Sequence, residues 1–168
     1  MRVCMTFSKF LLCISVASVA TVSAFAEAET KYDKISNQLV SQANTAMSDQ
    51  HFADAQLFYE RALVANPASI TALIGLGRAH EGQGRVGKGL KYYRQALEIE
   101  PNDQGALEVQ ALAFLKRDMI DRADNNREKL ARLCSNGCPA LASVETALKD
   151  YQHSKARETA AVATKKDG

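Results

Sequence analysis

Tryptophan is absent from this 168-residue chain, and it holds only three prolines and three histidines. With so few helix breakers and abundant alanine and leucine, the chain leans helical. Charge of one sign is also lacking: 21 Lys plus Arg face 19 Asp plus Glu. The two surplus cations, Arg2 and Lys9, lie in a distinct N-terminal segment, and without it the balance is 19 against 19. A neutral chain lacks the electrostatic footprint of a nucleic-acid binder. It also lacks non-specific attraction for anionic membranes. His51, His80 and His153 belong to no spaced ligand pair such as H-E-x-x-H. No G-x-S-x-G surrounds a serine, and no Gly-Lys-Ser/Thr follows the glycine-rich stretch GQGRVGKGL. The acids fall on predicted helix surfaces. There Arg122, Asp124, Arg127 and Glu128 read as exposed ion pairs of small individual worth. The expectation is a protein that is not an enzyme and carries no cofactor or metal.

What is present begins with a leader. MRVCMTFSK carries two cations and no acid, and FLLCISVASVATVSAFA is uncharged over residues 10–26. Ala24 and Ala26 give an A-x-A site before Glu27. This is the layout of a signal peptide over 1–26, with cleavage after Ala26; a retained anchor is the alternative. Either way the remainder lies outside the cytoplasm, periplasmic or secreted. No membrane span is expected after cleavage. Cys4 and Cys13 go with the leader, and Leu12 before Cys13 does not fit a lipidation site. The remaining composition, within a chain 46% hydrophobic and 24% charged, is globular.

Self-comparison shows a period of 34 residues. Pro67 and Pro101 are so spaced, as are Leu39, Leu73 and Leu107; Ala43, Gly77 and Ala111; and Phe52, Val86 and Ile120. Phe58, Tyr59, Ala62 and Leu63 repeat as Tyr92, Tyr93, Ala96 and Leu97. Two antiparallel helices per period explain the pattern: small residues admit close backbones, large ones fill the space between layers, and neighbours stack. Helices are predicted near 33–48, 52–65, 69–82, 86–99, 103–116 and 119–134. A seventh begins at Pro139, with Leu141, Val144, Leu148 and Tyr151 on one face. Asn66-Pro67 and Pro101-Asn102-Asp103 supply stops and caps. Gly89 takes a small-residue position, whereas Gly87, inside a helix at a cost of about 1 kcal/mol, has no evident reason.

These residues resemble the tetratricopeptide repeat family. The second repeat carries the family pattern as Leu73, Leu76-Gly77, His80, Gly89, Tyr93, Ala96 and Pro101. The first carries it as Leu39, Ala43, Ala46, Ala55, Tyr59, Ala62 and Pro67. The third starts with Leu107, Ala111, Phe114 and Ala123. It then departs, with Arg127 at an aromatic position, Leu130 at an alanine position and no closing proline. The resemblance implies an all-α helical-hairpin solenoid of about three repeats, 36–69, 70–103 and 104–137, within 27–137. A capping helix at 138–158 and a flexible tail at 159–168 complete the chain. It also implies a partner-binding inner groove made by the first helix of each repeat. Carried over by position, that groove holds Asn37, Val40, Ser41 and Asn44; Thr71, Ile74, Arg78 and Glu81; and Glu108, Leu112 and Leu115. Only Asn44 resembles the lysine-and-asparagine set with which chaperone-binding members grip a peptide carboxylate.

Cys134 and Cys138 flank Ser-Asn-Gly and precede Pro139. The spacing is wrong for c-type haem attachment. No strands support a thioredoxin-like couple, and four zinc ligands are lacking. An oxidising compartment and a tight Asn136-Gly137 turn favour a structural disulfide fixing the junction of third repeat and cap. The functional expectation is an envelope adaptor or scaffold that binds a protein or peptide partner through the groove. The alternatives are a pilus or secretion-machinery assembly factor, and a thiol-redox or metal-handling protein using Cys134 and Cys138.

Overall fold

The computed structural model describes residues 31–166. The leader 1–26, with Cys4 and Cys13, lies outside the described residues. Those residues form seven α-helices and no strand. They are α1 (31–48), α2 (Phe52–Ala65), α3 (Ile70–Gly82), α4 (Val86–Ile99), α5 (Gln104–Leu115), α6 (Ile120–Leu133) and α7 (Pro139–Lys166). Successive helices pack on one another, and α3 also touches α5, as stacked hairpins require.

The period of 34 is written into the backbone. Gln50, Gly84 and Asp118 all have positive φ (59°, 75° and 56°). In each case the next amide, on His51, Arg85 or Met119, donates to the carbonyl five residues back, on Ala46, His80 or Phe114. Each first helix therefore ends in the same left-handed turn, whose reverse bond satisfies a terminal carbonyl. Glycine takes that conformation freely at 84, whereas Gln50 and Asp118 carry a cost of about 1 kcal/mol each. Caps recur at the same interval. Ser69 Oγ accepts from Ala72 N at 3.3 Å, and Asp103 Oδ1 accepts from Ala106 N at 2.6 Å. The residue 34 beyond Asp103 is Gly137, φ 81°, and the cap position of α7 falls one residue later, on Cys138.

Close packing follows the small-and-large pattern. Val40, Ala43, Ala55, Tyr59, Ala62 and Leu76 join α1, α2 and α3. Leu73, Ala96 and Ala106 join α3, α4 and α5. Leu107, Ala111, Leu130, Val144 and Leu148 join α5, α6 and α7. A Cβ on Gly75 would collide with the Tyr59 ring, and one on Gly77 with the Tyr93 ring. The glycines thus admit the tyrosines. Leu107 is 2% exposed; Leu107→Ala would cost about 2–5 kcal/mol. Leu130, at an alanine position of the pattern, is fully buried against the cap helix.

Helix α7 opens on Pro139, where a missing amide hydrogen is harmless, and the first helical bond runs from Ala142 N to Cys138 O. Its inner side buries Ala140, Val144 and Leu148. Tyr151 donates to Asp118 Oδ1 at 3.0 Å and Lys155 approaches the same oxygen at 3.1 Å, tying α7 to the α5–α6 turn. The boundary expected at residue 158 is not a helix end, because α7 continues to Lys166. The alanine-rich stretch after Glu158 keeps helical propensity although 152–159 are exposed. No helix among the described residues is long and apolar enough to cross a membrane.

Candidate functional site

Two buried tyrosines organise the face formed by α1, α3 and α5. Tyr59 is 2% exposed and Tyr93 fully buried. Each stands on the second helix of its repeat, and its hydroxyl crosses to a first helix. Tyr59 donates to Asn44 Oδ1 at 2.5 Å. Tyr93 donates to Glu81 Oε1 at 2.5 Å, and the other Glu81 oxygen accepts from Lys116 Nζ at 2.6 Å. Burial, reinforced by the hydrogen bond to Glu81 and its charge, pushes the Tyr93 phenol far above its ordinary value. Burial raises Tyr59 too, opposed by the nearby Arg78 charge. Arg78 bears on both tyrosines, so Asn44, Arg78, Glu81 and Lys116 form one neighbourhood.

The expected groove residues divide into two groups. Asn37, Ser41, Asn44, Thr71 and Arg78 are exposed, whereas Ile74, Glu81, Glu108 and Leu112 are half-buried. Val40 is 7% exposed and lies in the α1–α2–α3 core. The reason is helical spacing: Ser36, Val40 and Ala43 fall on one inward stripe. Leu115, 8% exposed, likewise belongs to the core beneath α7. Ile74 is partly committed to packing, against Leu73, Ala96 and Ala106 and beside Tyr93. Val40 and Leu115 therefore drop out of a contact surface. Tyr59, Tyr93 and Lys116 enter it as supports. The only sequence signal for them was the 34-residue spacing of the two tyrosines, which reads equally as packing.

The face offers hydrogen-bond donors and apolar side chains. Because Tyr59 takes the Asn44 oxygen, Asn44 presents its amide N–H groups. Arg78 adds five donors. The Glu81 carboxylate is occupied by Tyr93 and Lys116. Exposed donors on the α3 face of Ile74 can meet an extended segment with free carbonyls and an apolar side chain. The third repeat has no matching tyrosine. At that position Arg127 contacts Asp124 at 2.6 Å and turns toward α7.

His80, 3% exposed, stacks on Tyr92 with ring centroids 5.2 Å apart and planes 11° from parallel. It is a packing residue. Burial, then the charges of Arg85 and Lys88, lower its pKa below the usual value. No cluster of three or more His, Cys, Asp or Glu residues that could hold a metal occurs among the described residues. Cys134 and Cys138 have Cα atoms 5.7 Å apart, inside the range a disulfide requires, and their sulfurs are in contact.

Comparison with known proteins agrees with this geometry. Residues 70–103 match the tetratricopeptide repeat family model. No curated protein sequence matches the chain. Among solved structures, the Sgt2 TPR domain from Aspergillus fumigatus is similar at 22% identity and TM-score 0.64, over 74% of this chain and 81% of that one. The Yersinia enterocolitica type III secretion chaperone SycD, in complex with a peptide of the translocator YopD, gives 17% identity and TM-score 0.62 over 71% and 93%. The first TPR of Spaghetti (RPAP3), bound to the HSP90 peptide SRMEEVD, gives 15% and 0.61 over 70% and 95%. At these identities the likeness establishes the fold.

Proposed function

We propose that this tetratricopeptide-repeat protein is an adaptor that holds an extended segment of another protein against its α1–α3–α5 face and performs no chemistry itself. The observation that carries the reading is the row of exposed donors, Asn44, Thr71 and Arg78, in which the buried Tyr59 hydroxyl holds Asn44 and that of Tyr93 holds the neighbouring Glu81. The tyrosines fix Asn44 and Glu81 in place, which lowers the ordering cost of binding there. SycD and Spaghetti, which share the fold, bind peptides of YopD and HSP90. The segment bound here differs in kind from a carboxylate end. Lys116 is already bridged to Glu81 at 2.6 Å, and Arg78 is the one exposed cation among the expected groove residues. Mixed side chains and main-chain carbonyls fit better.

The leader-like residues 1–26 support an exported chain and a partner in the cell envelope. In that oxidising space Cys134 and Cys138 form a structural disulfide at the α6–α7 junction. Its Cys138 occupies the cap position of α7, the place that Ser69 and Asp103 take before α3 and α5. A photo-crosslinking residue at Thr71, compared with one at the 85%-exposed Val64 on α2, tests the reading in the producing cell. A discrete envelope-protein adduct from Thr71 and not Val64 supports it. Equal labelling from both positions, or adducts from Val64 alone, refutes it.

A further inference from the structure

The chain is neutral beyond its leader, yet its cations are not evenly spread. A groove of about 350 Å³ runs between α4 and α6, floored by α5. Its rim carries Lys91, Arg94, Arg117 and Arg122 and no acidic residue. Its apolar lining is Leu90, Phe114 and Met119. Arg94 has Glu98 at 3.7 Å, both side chains 66% exposed, a pair too open to hold it. Lys91, Arg117 and Arg122 have no carboxylate within ion-pair distance among the described residues. Toward the α3–α4 turn the groove continues past Gly87 and Arg117 to Arg85, Lys88 and Lys116. The one acid there, Asp118, is engaged by Tyr151 and Lys155. The balancing acids Asp121, Asp124 and Glu145 line a separate crevice between α6 and α7.

Gly87 lies beneath Arg117 at one end of the groove. A Cβ at this position would come within 2.9 Å of Arg117 Nη1 and near nothing else. The bare backbone thus lets the Arg117 guanidinium lie across α4. Arg122 is placed over the Phe114 ring, 5.7 Å from its centroid. Asn126 donates to Leu107 O at 3.1 Å and to Gln110 Oε1 at 2.9 Å, which fixes the floor.

We infer that this α4–α6 groove is a second docking site, for an acidic segment of a partner polypeptide that has an apolar side chain among its carboxylates. Charge complementarity selects the carboxylates. Arg117 and Arg122 offer paired N–H donors that match a carboxylate fork, and Lys91 and Arg94 add long-range attraction. Leu90, Phe114 and Met119 select the apolar residue, and the volume lies at the small end of ligand-pocket sizes, about 300–1,000 Å³. A nucleic acid fits less well. Arg122 already covers the Phe114 face on which a base would stack, and a long polyanion would run onto Glu98 and Asp121.

The test uses the exported chain, residues 27–168, and a fluorescein-labelled peptide of about ten residues. Its one phenylalanine is flanked on each side by two glutamates, and polarisation reads binding. Saturable binding that weakens between about 50 and 300 mM salt is expected, with the glutamine version of the peptide about tenfold weaker or worse. Arg117→Glu with Arg122→Glu, and separately Lys91→Glu with Arg94→Glu, each weaken it about tenfold or more, with far-UV circular dichroism unchanged. Arg78→Glu leaves it unchanged. Absence of saturable binding, equal loss in Arg78→Glu, or tighter binding of a short oligothymidylate overturns the proposal.

Discussion

Replacing Tyr93 by Phe isolates one link of the binding face. The ring stays in place against Gly77, so no cavity opens. What is lost is a 2.5 Å hydrogen bond from a fully buried hydroxyl to the Glu81 carboxylate. A hydrogen bond to a charged group contributes about 1.5–3 kcal/mol. Glu81 keeps Lys116 at 2.6 Å, which moderates the loss, although its side chain is only 10% exposed to water that could replace the phenol. The expected destabilisation is about 1–2 kcal/mol. Tyr59→Phe removes a bond of equal length to a neutral acceptor, the Asn44 oxygen, and should cost about 0.5–1.5 kcal/mol. Urea unfolding followed at 222 nm measures both, since the chain has no tryptophan to report. The denaturant slopes should match the parent, because the surface buried is unchanged. A neutral or stabilising Tyr93→Phe, or a larger loss from Tyr59→Phe, refutes the view that Tyr93 and Glu81 are the stronger brace.

His80 gives stability a pH dependence. Its folded pKa is depressed, so the unfolded chain takes up the proton first, near pH 6.5. The stability due to the neutral ring is complete above about pH 6.5 and is lost as pH falls from there through the folded value. His80→Phe keeps the stack on Tyr92 and should flatten the fall in unfolding free energy between pH 7 and 5; an unchanged slope rejects the assignment. Joint replacement of Cys134 and Cys138 by serine opens a short loop, for which chain entropy gives about 2 kcal/mol. Thermal melts should show that loss, and a reductant should lower the parent's midpoint to the same level while leaving the variant's alone. A midpoint in the parent that is insensitive to reductant contradicts the disulfide.

The helices were legible because local signals repeat. Pro67 and Pro101 and the alanine–leucine spacing recur at 34 residues and Asp103 read as a cap, each acting within one or two helical turns; the cap Ser69 came only from the fold. The contact face was legible only in part. Assigning Val40 to the groove by position misjudged a residue on the inward stripe of α1. Links such as Glu81 with Lys116, 35 residues apart, leave no local trace. The basic groove was hidden by the neutral total, since its cations come from α4, the α5–α6 turn and α6 and meet only in the fold. Gly87, unexplained by helical packing, faces Arg117 across that same groove.

The central claim is that a partner segment lies on the α1–α3–α5 face and is gripped there by Arg78. The decisive measurement takes the segment cross-linked from Thr71, synthesised as a labelled peptide, and compares its Kd for the parent and for Arg78→Glu with Thr71→Glu. Both positions are exposed, so the fold should survive. Loss of a charge-assisted bond of about 1.5–3 kcal/mol predicts a Kd weaker by about ten- to a hundredfold. An unchanged Kd in the folded double variant contradicts the account.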